Sequence, residues 1–211
     1  MMSRRQIFYT VASICALYIL YVLVSNYVLD PHAEAFLRHK ANLVRPEPRF
    51  WLQVMYIHVG MACVAMATGF LNLVTGIHAR YRKFHRVNGY VYVSSVLVVV
   101  ITSGYMAPYA TGGKIGSMGF NLLNMLWLAA TTTAIVHILR KRISLHRRWM
   151  IRSYAFCFTN LLIHLFTFVF NRMIGIEYGT GYTLAVYVSI ALILIVPEVL
   201  FRTGPRLIDK R

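Results

Sequence analysis

Five of the eight histidines stand where an imidazole could serve as a ligand. His58 and His164 lie inside long apolar blocks, whereas His85, His137 and His146 lie at block ends, with His78 close by. A neutral imidazole taken out of water needs a partner, and imidazole nitrogens from facing helices are what a b-type haem iron accepts as axial ligands. His58 is eight residues from the block edge at Phe50, and His164 is six from the edge at Phe170. At a rise of about 1.5 Å per residue both stand roughly 9–12 Å below one surface. His85, His137 and His146 gather near the other surface. Such a distribution suits one or two bis-histidine haems b, drawing on His58, His85, His146, His164 and His137. Arg86, Arg147, Arg148 and Arg152 suit the haem propionates, because guanidinium grips carboxylate bidentately. A plainer reading makes the same histidines hydrogen-bonded or interfacial residues. A third gives the cluster to copper or zinc.

Side chains in those places require elements long enough to cross a bilayer. Of the 211 residues 58% are hydrophobic, and the mean hydropathy is +0.59; a soluble domain has about 45–50% apolar residues. The excess falls in six blocks, approximately residues 7–29, 50–77, 87–107, 119–139, 149–170 and 182–201. Each is near the roughly 20 residues that cross about 30 Å of hydrocarbon. In lipid such a block must be helical, because a helix satisfies its own backbone groups. The expected fold is all-α: a polytopic membrane bundle of six transmembrane helices forming one domain over 1–211. Helices 2–5 form its four-helix core. Residues 30–49 are expected to make an outer loop with a short amphipathic helix, ended by Pro46 and Pro48. Gly112-Gly113 marks a tight turn.

The net charge is +16, from 22 Lys+Arg against 6 Asp+Glu. On a soluble chain that balance points to nucleic acid, but here the cations sit between apolar blocks, so no nucleic-acid partner is expected. Arg4, Arg5, Arg80, Arg82, Lys83, Arg86, Arg140, Lys141, Arg142, Arg147, Arg148, Arg202, Arg206, Lys210 and Arg211 fall on one side. Arg38, Lys40, Arg45, Arg49, Lys114 and Arg172 fall on the other. The positive-inside rule then puts both termini in the cytoplasm and the chain in the inner (plasma) membrane. The N-terminus begins like a signal peptide, yet its apolar run exceeds the usual h-region of about 7–15 residues and no small-residue cleavage site follows. It is expected to remain as the first helix.

Polar side chains in lipid mark the faces that turn inward. In the fifth block Ser153, Cys157, Asn160, His164, Thr167 and Asn171 recur at spacings of four and three, one stripe of a continuous helix. His146 extends it by five turns. His85, Asn88, Tyr92, Ser95 and Thr102 make a similar stripe in the third. His58 is followed by Ala62, Ala65, Gly69, Asn72 and Gly76, a small-residue face suited to close packing. His137 follows Ala130 and Thr133. Cys15, Cys63 and Cys157 have no CxxC spacing and read as apolar core residues. Glu198 is the only acidic residue within a block, which argues against a carboxylate-driven pump. No Ser/His/Asp arrangement, Walker loop or dinucleotide fingerprint is present.

Several of these residues form a series: His58, Gly69-Phe70, His85-Arg86-Val87-Asn88-Gly89-Tyr90-Val91-Tyr92, Gly112-Gly113, Gly119-Phe120, Trp127, Thr131-Thr132 and His146-Arg147-Arg148-Trp149-Met150-Ile151-Arg152-Ser153. The series resembles the bacterial membrane proteins catalogued as domain of unknown function 2306, over roughly residues 50–164. The resemblance implies a membrane fold and places His58, His85 and His146 at the family's histidine positions. His164 and His137 lie outside that pattern. The layout is also similar to small membrane cytochromes of the b561 type. The leading expectation is a membrane redox protein holding one or two b-type haems and exchanging electrons with quinol, a quinol-linked oxidoreductase or electron carrier. Lipid, quinone/quinol and other membrane respiratory subunits are the expected partners. The alternative is a non-redox accessory or assembly subunit, or a small-molecule transporter.

Overall fold

The computed structural model describes residues 4–33, 48–73 and 81–203, and among them there are helices and short connections but no strand. Helix α1 (Arg4–Val24) runs into a π-turn at Ser25–Leu29. Helix α2 spans Pro48–Leu73, and α3 spans Arg82–Met106 before tightening into a 3-10 turn at Ala107–Tyr109. Helix α4 covers Gly113–Leu139. The fifth span is composite: α5 (Ile143–Ala155), a 3-10 turn at Phe156–Phe158, α6 (Thr159–Phe168) and a π-turn at Val169–Met173. Helix α7 (Tyr178–Thr203) closes the described chain.

Six stretches are long and apolar enough to cross a membrane, as the blocks require: Phe8–Leu29, Arg49–Leu73, Arg82–Tyr109, Gly113–Leu139, Ile143–Met173 and Tyr178–Arg202. Three start earlier than their apolar blocks. The third and fifth take in basic residues whose aliphatic stems can lie along a helix while the charge reaches the surface. The fourth starts at Gly113 because Gly112 and Gly113, at φ 91° and 63°, make the turn in left-handed backbone, a region open to glycine at no steric cost. A Cβ on Gly112 would also collide with the Thr183 hydroxyl. The amphipathic helix expected in the first loop falls mainly on residues 34–47, outside the described chain, as do Gly76 and His78.

The chain gathers into two compact units, residues 1–102 and 103–211. In the first, aromatic rings join α1 to α2: Phe8 stacks on Phe70 at 5.3 Å, and Tyr27 on Tyr56 at 5.1 Å. The Tyr27 hydroxyl donates to the Tyr56 carbonyl at 2.6 Å, and the Tyr56 hydroxyl to the Pro31 carbonyl. Helices α2 and α3 are tied by Asn88, whose amide donates to the Thr68 carbonyl at 2.7 Å. Lipid offers no hydrophobic drive between helices, so close packing and interhelical hydrogen bonds must hold them.

The second unit packs more closely. Gly119 brings α4 so near α7 that a Cβ would stand 2.8 Å from the Val186 side chain. Helices α4 and α5 meet through Trp127 and Phe156, stacked at 6.0 Å with 12° between planes, and through Thr131 and Ser153, whose hydroxyls are 2.7 Å apart. The Thr131 hydroxyl donates to the Trp127 carbonyl at 2.8 Å, so the Ser153 hydroxyl donates to Thr131. Between spans five and six, Glu177 caps α7. Its carboxylate accepts from the backbone N–H groups of Gly179 and Thr180 at 3.0 and 2.9 Å and from the Thr180 hydroxyl at 2.9 Å. The Thr180 N–H, then that of Gly179, then the Thr180 hydroxyl hold this carboxyl below the usual glutamate range.

Candidate histidine sites

His58 stands in the first half of α2, half-buried, where its Nδ1 lies 3.0 Å from Thr102 Oγ1 on α3. The Thr102 hydroxyl has a single proton and directs it to the Val98 carbonyl at 2.7 Å or the Val99 carbonyl at 3.0 Å. Its oxygen is therefore the acceptor, and the imidazole proton sits on Nδ1. Nε2 keeps its lone pair. Thr102 belongs to the third-span stripe, so two polar positions read separately from the sequence meet here.

His146, in the first turn of α5, reaches the same state by a different route. Its Nδ1 lies 2.8 Å from the backbone carbonyl oxygen of Ala134 on α4. A carbonyl only accepts, so again the proton is on Nδ1 and Nε2 holds the lone pair. The bond is available because the connection between α4 and α5 is a tight one. Lys141 takes a left-handed φ of 58°, and the Arg142 N–H returns to the His137 carbonyl at 2.9 Å.

The other candidates differ. His137 is half-buried near the end of α4, and its Nδ1 has no hydrogen-bond partner among the described residues. His85 is half-buried in the first turn of α3, with Nδ1 enclosed. His164 is exposed. The single stripe expected along the fifth span does not form. Ser153 and Thr167 are buried, while Asn160 and His164 face outward. The cause is the 3-10 turn at Phe156–Phe158, which advances each residue by 120° instead of 100° and so adds about 60° over three residues. In α6 the inward positions are then Ile163 and Thr167, one turn apart, and His164 lies to the side.

Among the arginines, Arg86 is exposed and Arg147 and Arg148 are half-buried. Arg152 is engaged, its Nε donating to Glu198 Oε1 at 2.6 Å with Nη2 also 2.6 Å from that oxygen. Its guanidinium lies 4.5 Å from the Trp149 ring and 5.0 Å from the Phe201 ring. The pairing was not read from the sequence, although a lone carboxylate in a span calls for a cation and Arg152 was the one arginine set inside the fifth block. Among the described residues no group of three or more His, Cys, Asp or Glu side chains could hold a metal ion.

Residues 55–201 match a protein family described as a predicted membrane protein, DUF2306. The chain belongs to that family. The match begins near His58 and continues through span six, so it takes in His85, His137, His146, His164 and the Arg152–Glu198 pair, and runs beyond the 50–164 stretch that carried the resemblance. No curated protein and no solved structure matches the chain.

Proposed function

We propose that this DUF2306 protein is a membrane redox protein that holds one or two b-type haems through its histidines, with His58 and His146 the leading ligands. The observation that carries the reading is the tautomer common to both rings. Each commits its proton through Nδ1 to an oxygen of a neighbouring helix and leaves the Nε2 lone pair for iron. An Nδ1–H bond to carbonyl or hydroxyl oxygen is also the outer contact that orients metal-ligating histidines and raises their basicity. His85 and His137 come next, His137 because its ring nitrogen lacks a partner, and His164 last. For the propionates, Arg148, Arg147 and Arg86 fit better than Arg152, whose charge Glu198 already meets. The bound haem would supply one-electron chemistry; this chain's residues hold the rings, set their tautomer and counter the propionate charge.

The electron partner in this reading is quinol, the reductant that a bilayer-embedded site meets directly. The 15 basic residues on one side of the apolar blocks support cytoplasmic termini in a bacterial plasma membrane, which reporter fusions at each loop would test. A non-redox accessory role is the second reading. It is favoured by the fact that the bonds of His58 and His146 also tie helices together without any cofactor.

Protein purified after expression with ample haem is expected to be red and to show a Soret band. His58→Ala or His146→Ala removes part of the pigment, and His39→Ala leaves it. Colourless wild-type protein with no metal by elemental analysis would overturn the proposal.

A further inference from the structure

The cations at the Arg140–Arg152 end of the second unit exceed what its carboxylates can neutralise. Arg148 and Arg152 stand one turn apart on α5 and share one aromatic ring, their guanidinium carbons 4.8 and 5.0 Å from the centroid of Phe201. Two like charges are thereby held close together in a region bordered by hydrocarbon. Glu198 gives both of its short contacts to Arg152. Arg148 has no ion pair among the described residues, and Arg202, four residues after Glu198 on α7, is exposed. Arg140, Lys141 and Arg142 add three exposed cations on the connection. A second anion would relieve this repulsion.

The surroundings say which anion. Leu139 is 76% exposed and Ile143 69% exposed, immediately flanking the three cations of the turn. Beside Glu198, Val199 and Leu200 are exposed as well. Apolar side chains bare on both sides of a cationic cluster mark the boundary between acyl chains and headgroups, where arginines meet lipid phosphate. An acidic peptide or a nucleic acid would satisfy the charges but leave the apolar residues against water. We infer that this end of the second unit binds the headgroup of an anionic phospholipid, with the phosphate on Arg148 and Arg202 and the acyl chains along the exposed apolar residues of α5 and α7. Glu198 limits the affinity by occupying Arg152. The inference stands apart from the haem reading, since Arg202 has no part in that.

The test is binding of phosphatidylglycerol and phosphatidylcholine of identical chains to detergent-purified full-length protein, read by native mass spectrometry at matched ionic strength. Phosphatidylglycerol is expected to bind in preference. Arg202→Gln and Arg148→Gln each lower its affinity about fivefold, the effect of removing one interfacial arginine. Arg148→Lys, which keeps the charge, retains most of it. Glu198→Gln raises the affinity by freeing Arg152. Arg202 is exposed, so its variant serves even if changes at Arg148 impair folding. Equal binding of the two lipids, or a preference that survives both glutamine variants, would overturn the inference. So would inorganic phosphate displacing the lipid at similar concentration, because the site would then be one for a free anion.

Discussion

The third and fifth spans both carry polar side chains through lipid at spacings of three and four, and the two stripes end in different places. Helix α3 is uninterrupted α-helix from Arg82 to Met106, and Asn88, Tyr92, Ser95, Val96 and Val99 are all buried on one face. The fifth span is cut by a 3-10 turn, so only Ser153 and Thr167 of its stripe remain buried. The difference teaches that spacing identifies a face only for as long as the rotation per residue stays constant. Where three residues wind more tightly, everything beyond them turns away, and His164 is the side chain that loses most by it.

Substitutions can break or sharpen this contrast. The largest effect is expected at Tyr92, fully buried in the α3 stripe. Tyr92→Ala should lower stability by roughly 2–4 kcal/mol, mainly through the cavity it leaves; an unchanged melting temperature in detergent would show that the stripe does not face a packed core. Ser153→Val removes the hydrogen bond to Thr131 at the buried start of the fifth span. Its cost should be about 1 kcal/mol, the scale of interhelical hydrogen bonds in membranes, or about 2–4 °C in a thermal melt. His164→Leu, beyond the 3-10 turn, should stay within about 0.5 kcal/mol of wild type, as surface changes do. A loss as large as that at Tyr92 would mean the fifth-span stripe is intact after all.

The smallest effect concerns the cap that follows the fifth span. Because the Glu177 carboxyl is held below its ordinary range in the folded chain, its contribution is fully present above the unfolded carboxylate pKa. It is lost as pH falls through the lower folded value. Glu177→Gln should therefore be slightly less stable than wild type at neutral pH and converge with it under acid; a gap that widens on acidification would contradict the cap.

The six spans were legible because hydrocarbon thickness imposes block length, and length does not depend on how helices pack. Gly112-Gly113 was legible because its turn needs left-handed backbone. The stripe of α3 and the small-residue face of α2, with Ala65 and Gly69 buried, were legible because both helices are regular. What escaped depends on partners far apart in sequence. Thr102 is 44 residues from His58, and Glu198 is 46 from Arg152; periodicity along one helix says nothing about which residue of another helix it faces. The tight winding at Phe156–Phe158 escaped because no proline or glycine marks it.

The account turns on the tautomer of His58 and His146. In haem-free protein labelled at histidine nitrogen, nitrogen NMR distinguishes a protonated ring nitrogen from one bearing a lone pair. Protonated Nδ1 and unprotonated Nε2 at both positions, with the His58 signal changed by Thr102→Val, is the result expected. Protonated Nε2 in both rings would contradict it, for neither histidine would then present a lone pair to iron.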